Sequence, residues 1–149
     1  MKAHMAVVAV FVLLSASVHA EEFTCQLENG KYVSVSAEQG KPPVYRYGTL
    51  AKTEITLPVP QQPNNNVFYG HQMFVAGAST YVRFKNGNYS YVVYDGEGRG
   101  WQFNGVIVYK DNNIISKKEC KGPLTPSLDN LKNYSIKMDP YLETYIYAP

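Results

Sequence analysis

The chain has 149 residues, with 14 lysines and arginines against 12 aspartates and glutamates, and a formal net charge of +2. This length suits a single domain. A nearly neutral chain lacks the basic surface that nucleic-acid binding requires. Only two cysteines and three histidines are present, which leaves few residues for metal or nucleophilic chemistry.

The first twenty residues are predicted to be a signal peptide. Lys2 precedes an uninterrupted apolar run over residues 5–14, and residues 18–20 supply the small residues of a cleavage site. The alternative, a membrane anchor, is disfavoured because the run is too short to span a bilayer core of about 30 Å. Glu21, and not the cysteine of a lipoprotein, follows the cut. We therefore expect a periplasmic or secreted protein with no membrane insertion after cleavage.

Residues 21–149 are expected to form one β domain, with residues 121–149 as a C-terminal extension. The abundant tyrosines suit half-buried strands, and turn signals recur at short intervals. Cys25 and Cys120 both lie in this part, and an even cysteine count in an exported protein predicts a disulfide. A pair of metal-binding thiolates is the alternative, but no histidine or further cysteine lies near them in the sequence.

The predicted fold class is all-β, an antiparallel barrel or sandwich of about eight or nine strands with a short C-terminal helix and tail. The predicted strands cover residues 23–27, 32–37, 44–48, 53–57, 67–74, 80–85, 89–94, 105–110 and 114–120. Asn29-Gly30 and Asn86-Gly87 are predicted to be type I′ hairpin turns, and residues 111–113 a third hairpin.

The segments between and after these strands are interpreted from their prolines. Residues 58–66 contain three prolines and are predicted to be an exposed crossover and not a linker between two domains, since neither half is large enough for a comfortable core. A short helix is predicted near residues 126–133, with an N-cap and a proline at its start. Residues 141–147 alternate too weakly to decide between packing on the strands and a partner-binding arm.

Catalytic and metal chemistry find little support. His71 is the one histidine after residue 20, and no Gly-x-Ser-x-Gly elbow is present, although a triad with members far apart in sequence stays open. Asp95 and Glu97 are expected in a mobile Gly-rich loop, which is a poor platform for paired catalytic carboxylates, and calcium binding there is a minor alternative. We expect no enzyme activity, cofactor or metal.

A surface role follows from the hairpin around Asn86-Gly87. With these two residues at the turn, cross-strand partners have numbers that sum to 173. One face then carries Thr80, Val82, Phe84, Tyr89, Tyr91 and Val93 and is predicted to face the core. The opposite face carries Ser79, Tyr81, Arg83, Ser90, Val92 and Tyr94 and is predicted to point outward. Exposed Tyr and Arg are enriched in binding hot spots, but they also stabilise sheets through cross-strand contacts.

Two short stretches carry a resemblance to a known family. They are Ala-Gly-Ala-Ser-Thr-Tyr at residues 76–81 and Tyr-Asp-Gly-Glu-Gly-Arg-Gly at residues 94–100. The segment over residues 67–120 resembles the MliC-type periplasmic inhibitors of c-type lysozyme, which are small exported β-barrels. Ala76 stands where the family has serine, and Arg99 replaces its lysine. The resemblance implies that Ser79, Tyr81 and Arg99 hydrogen-bond the catalytic carboxylates of a lysozyme, with Tyr94 lining the contact.

The sequence therefore predicts a protein that binds and inhibits a cell-wall-degrading hydrolase such as lysozyme. An immunity protein against a toxin delivered to the periplasm is a related alternative. A small-ligand or glycan-binding module is another, for which exposure of Trp101 and Tyr94 is the discriminating feature. An enzyme would need titratable groups converging in a cleft around His71, Asp95 or Glu97. The predicted partner-binding residues are Ser79, Tyr81, Arg83, Tyr94 and Arg99.

Overall fold

The computed structural model describes residues 19–59 and 66–148, and within these ranges the chain forms ten β-strands and two short helical segments. The strands are β1 (Ala20–Gln26), β2 (Tyr32–Glu38), β3 (Val44–Gly48), β4 (Thr53–Leu57), β5 (Val67–Phe74), β6 (Gly77–Asn86), β7 (Tyr89–Gly98), β8 (Trp101–Lys110), β9 (Asn113–Glu119) and β10 (Lys137–Met138). A 3₁₀ helix covers Leu128–Asn133, and α1 covers Leu142–Tyr145.

The strands form two sheets, and the all-β prediction is confirmed. The first sheet has the order β1-β2-β3-β4, and the second has the order β10-β5-β6-β7-β8-β9. Every pairing is antiparallel except that of β10, which lies parallel to β5. All nine predicted strands are present, and β10 is an addition that the sequence pattern does not indicate.

One hydrophobic core lies between the two sheets. The ring of Tyr45 on β3 packs against Phe84 and Tyr91 on the other sheet, with centroid separations of 5.5 and 5.6 Å. The predicted disulfide between Cys25 and Cys120 is confirmed, and it joins β1 to the residue after β9. Backbone hydrogen bonds beside it link the same two segments. The sheets are thus fastened together at this corner.

The type I′ prediction is wrong at both Asn-Gly dipeptides. In the first turn only Gly30 has a positive φ, 82°, whereas a type I′ turn requires two such residues. In the second turn Asn86 pairs with Tyr89, so the loop consists of Gly87 and Asn88. Only Gly87 has a positive φ there, 61°. A glycine with positive φ at the first central position fits a type II′ turn.

This turn shifts the hairpin register by two residues from the prediction. Tyr81 lies opposite Tyr94, and Arg83 lies opposite Val92. Because side chains alternate between faces with a period of two, a shift of two residues leaves every side chain on its predicted face. The predicted core face is accordingly correct, and Val82 packs in the core between the sheets.

The short C-terminal helix is confirmed in position, as the 3₁₀ helix. Its N-cap is Ser127, whose hydroxyl accepts a hydrogen bond from the backbone N–H of Asp129, so the helix begins slightly later than predicted. Leu128 and Leu131 are fully buried and seat the helix against the core.

The chain then adds β10 beside β5 and crosses the outer face of the six-stranded sheet. We name residues 139–148 the C-terminal strap. Tyr145 and Ile146 of the strap are buried in a second hydrophobic cluster on that face. No helix in the described part of the chain is long and apolar enough to cross a membrane. The signal-peptide prediction falls almost entirely on residues 1–18, and most of the predicted crossover falls on residues 60–65; both lie outside the described residues.

Candidate binding site at the hairpin tips

Four of the five predicted partner-binding residues lie beneath the C-terminal strap. Ser79, Tyr81, Arg83 and Tyr94 are each at most 2% exposed. Their assignment to the face opposite the core is correct, but the expectation that this face points outward is wrong. The face is covered because the strap folds back over it, which places a second apolar cluster there.

Asp139 fixes the strap to the sheet through a buried ionic group. Its carboxylate accepts hydrogen bonds from Arg83 Nε at 2.7 Å and Arg83 Nη2 at 2.9 Å, a two-pronged contact. It also accepts from the hydroxyl of Tyr81 and from the backbone N–H of Tyr141, both at 2.9 Å. The third guanidinium nitrogen of Arg83 donates to the Ser90 hydroxyl. Arg83 therefore serves the strap and is not available to a partner's carboxylate.

The protonation state of this group follows from its surroundings. Burial works against ionisation of Asp139, but the hydrogen bonds and charge of Arg83, with the Tyr141 N–H and the Tyr81 hydroxyl, outweigh it and lower the pKa of the carboxyl. Burial, reinforced by the charge of Asp139, raises the pKa of Tyr81. Asp139 is thus ionised and Tyr81 neutral near pH 7, which is the pairing that the hydrogen bonds require.

The hydroxyl of Tyr94 holds the end of the strap. It donates to the carbonyl oxygen of Ile146 at 2.7 Å and accepts from the backbone N–H of Ala148 at 3.2 Å. It also shares a short hydrogen bond with the hydroxyl of Ser79. The resemblance needs a surface hydroxyl from Ser79, and this buried pairing does not provide one.

Arg99, the fifth predicted residue, is exposed at the rim of a cleft between two hairpin tips. The turn between β5 and β6 and the turn between β7 and β8 meet at one end of the six-stranded sheet. The cleft that they form has a volume of about 340 Å³. It is lined by Phe74, Val75, Ala76, Gly98, Arg99, Trp101 and Tyr147, and we name it the hairpin-tip cleft. The two stretches that carry the family resemblance therefore each contribute to it.

The stretch predicted as a mobile Gly-rich loop is part of a strand. Residues 95–98 belong to β7, and only Arg99 and Gly100 form the turn. Gly96 and Gly98 make room for side chains: a Cβ on Gly96 would lie 2.6 Å from the Tyr94 ring, and one on Gly98 would lie 2.3 Å from Trp101 Nε1. The glycines thus allow close packing and do not supply mobility.

His71 takes part in a hydrogen-bonded cluster that lacks the arrangement of a catalytic triad. Its Nδ1 lies 2.8 Å from the hydroxyl of Thr80, which donates to Asp129, and Asp129 lies 3.7 Å from the same Nδ1. In a triad, the acid and the nucleophile contact opposite nitrogens of the ring. Here both face one nitrogen, and Thr80 is buried. The cluster attaches the 3₁₀ helix to the sheet.

Asp95 is half-buried on the core side of β7. Burial raises the pKa of its carboxyl, and the nearby Asp129 and Glu97 raise it further. Among residues 19–59 and 66–148, no group of three or more His, Cys, Asp or Glu side chains is placed to hold a metal ion.

The sequence does not single out three of the cleft residues, Phe74, Val75 and Tyr147. It names Trp101 only as a residue whose exposure would distinguish a glycan-binding module. Strands of a meander alternate in direction, so the tips of the first and third hairpins lie at the same end of the sheet. The predicted strand order was therefore enough to place Val75 near Arg99. Tyr147 arrives through the strap, whose path has no local signal.

Comparisons with protein-family models, with curated proteins and with solved structures find no match to this chain. The hairpin-tip cleft is therefore interpreted from its own geometry.

Proposed function

We propose that this protein is an exported, non-enzymatic binding protein that occludes a cell-wall-degrading hydrolase such as lysozyme. The observation that carries the proposal is that two hairpin tips meet and place an exposed apolar side chain, Val75, close to a cation, Arg99. Val75 is fully exposed at one tip, and Arg99 is exposed at the other. The hairpin tips belong to one of two sheets that pack against each other around a shared core, and this packing favours a sandwich as the description of the fold.

The chemistry of the hairpin-tip cleft suits such a partner. Glycoside hydrolases work with two carboxyl groups in a cleft, and a guanidinium forms strong charge-assisted hydrogen bonds to carboxylates. An inhibitor must present these groups on a rigid support, because ordering a mobile loop on binding reduces affinity. Antiparallel pairing holds β5 to β8 together up to the two turns.

Because Ser79, Tyr81 and Tyr94 are buried, the proposed contact differs from the one that the resemblance implies. Arg99 is the residue expected to reach a partner's carboxylates, and Val75 supplies exposed apolar surface beside it. Burial of the exposed Val75 side chain against a partner would contribute to the affinity. This division of roles is what the experiment tests.

The test measures inhibition and capture together. The purified protein is added to bacterial lysis assays with c-type and other lysozymes, and is also immobilised as bait for periplasmic and culture extracts. We expect slowed lysis, a retained hydrolase, and a loss of affinity of about 30-fold for Arg99→Ala, the level of a binding hot spot. Val75→Asp should also weaken inhibition, since a carboxylate would then face the partner's carboxylates.

Arg46→Ala is the matched control, because Arg46 is an exposed arginine on the other sheet. It should inhibit as well as the unchanged protein. If lysis proceeds at its normal rate with every enzyme and the bait retains no hydrolase, the proposal is wrong. Capture of a delivered peptidoglycan-degrading toxin, with no effect on any lysozyme, would instead favour the immunity-protein alternative.

A further inference from the structure

Three aromatic rings from three separate parts of the fold converge on the hairpin-tip cleft. Phe74 ends β5, Trp101 begins β8, and Tyr147 belongs to the C-terminal strap. The Phe74 ring lies 6.2 Å from Trp101 and 5.5 Å from Tyr147, measured between centroids. Trp101 remains 37% exposed and Tyr147 49% exposed. The fold thus assembles an aromatic surface that stays open to water.

This surface is fixed in place before any ligand arrives. The indole of Trp101 packs directly over the backbone at Gly98, in space that a Cβ there would occupy. Phe74 contacts both of the other rings and packs, partly buried, against the buried cluster of the outer face. A ligand therefore does not have to pay the entropy of ordering these rings, which is the general advantage of a preformed site.

Arg99 gives the cleft a charge. Within residues 19–59 and 66–148, no carboxylate forms an ion pair with it. An open cleft with aromatic walls and a free cation at the rim has room for a flat ring that carries an anion. The chemical groups required of an occupant are thus an apolar face and a negative charge on its edge.

We propose that the hairpin-tip cleft binds a glycan through a pyranose ring that carries a carboxylate. The flat C–H face of the sugar stacks on Trp101, while Tyr147, whose ring is inclined to the indole, contacts the edge of the sugar. The carboxylate pairs with Arg99, and the remaining hydroxyls stay in water. An open cleft suits a sugar better than a compact apolar acid, since pockets for the latter bury most of the ligand surface. Both muramic and uronic acids supply a carboxylated pyranose. This inference does not depend on a protein partner.

Trp101 makes a direct test possible, because it is the only tryptophan in the chain. Its fluorescence is followed while the protein is titrated with glycan fragments that contain N-acetylmuramic acid, with oligomers of glucuronic acid, and with neutral N-acetylglucosamine oligomers of matched length. We expect a saturable change in fluorescence with one of the carboxylated glycans. The neutral oligomer should bind at least about tenfold more weakly, because it lacks one charge-assisted hydrogen bond.

Variants separate the two contacts. Arg99→Gln should remove the preference for the carboxylated glycan while stacking persists, and Tyr147→Ala should weaken charged and neutral glycans alike. Trp101→Ala should abolish binding, which is measured by calorimetry because this variant lacks the fluorescent residue. Arg46→Gln, far from the cleft on the other sheet, should bind as the unchanged protein does. Circular dichroism confirms that each variant is folded.

The inference is overturned if none of the glycans gives saturable binding, if neutral and carboxylated oligomers bind equally, or if Arg99→Gln keeps the full preference. Which carboxylated glycan binds more tightly identifies the source of the sugar. A protein that binds glycan but retains no hydrolase contradicts the proposed function alone. A protein that retains a hydrolase but binds none of the glycans contradicts this inference alone.

Discussion

Removing the charge of Asp139 should release the C-terminal strap and destabilise the whole protein. Asp139→Asn keeps the side-chain volume, but it leaves the guanidinium of Arg83, which is 2% exposed, without its anion. It also replaces one of the two oxygens that together accept four hydrogen bonds. Breaking a buried ion pair by removing one partner costs about 3–5 kcal/mol. With a urea dependence of about 2 kcal/mol per molar, the unfolding midpoint should fall by roughly 1.5–2.5 M.

Urea unfolding followed by two probes measures this effect. Circular dichroism reports the sheets, and the fluorescence of Trp101 reports the end of the strap, because Phe74 links the Trp101 and Tyr147 rings. Glu54→Gln is the matched control: it breaks the ion pair to Lys31, which is partly exposed on both sides, and should leave the midpoint nearly unchanged.

An Asp139→Asn midpoint equal to that of the Glu54→Gln control would show that the buried ion pair does not stabilise the fold. A second variant makes the test stricter. Replacing both partners, by Arg83→Met with Asp139→Leu, removes the charges together and should recover much of the lost stability. Early loss of the Trp101 signal, before the dichroism changes, would show that the strap detaches on its own.

Since the folded pKa of Asp139 is lowered, its stabilisation is complete above the unfolded value of about 3.9 and is lost as pH falls through the folded value; midpoints at pH 3 and 7 should therefore differ less in Asp139→Asn than in the unchanged protein. Replacing Cys25 and Cys120, which are 95 residues apart, by serine should lower the unfolding free energy by up to about 4–5 kcal/mol, and an unchanged urea midpoint would contradict this. Gly98→Ala places a Cβ 2.3 Å from Trp101 Nε1, so Trp101 emission should shift to the red while the dichroism stays the same; an unshifted spectrum would show that the indole does not rest on Gly98.

The strands could be predicted because their signals are local. Alternating apolar residues and short turn sequences define each strand within a few residues of chain, and β5 through β9 follow one another as a meander. The hairpin register was wrong by two residues because Gly87, and not the Asn86-Gly87 pair, determines the turn. Because the register is shifted by an even number of residues, each side chain still lies on the face that was predicted for it.

The candidate site could be predicted only where its residues lie on neighbouring hairpins. Arg99 was identified, and the structure places it in a cleft together with Ala76 from the other stretch of the resemblance. The prediction that the outer face is exposed was wrong, because that face is covered through a contact between Arg83 and Asp139, which are more than fifty residues apart in sequence. Residues 141–147 alternate too weakly to reveal that contact, since their burial is set by the tyrosines and the arginine beneath them.

The buried polar face and the open cleft are parts of one arrangement. Arg83, Tyr81 and Tyr94 hold the strap at Asp139 and at Ile146, and the strap continues directly to Tyr147, one wall of the hairpin-tip cleft. A change at Arg83 should therefore weaken ligand binding although Arg83 does not line the cleft. We expect Tyr81, Arg83 and Tyr94 to affect binding by positioning Tyr147 and not by contact. This separates them from Arg99, whose loss should change binding while the strap stays in place.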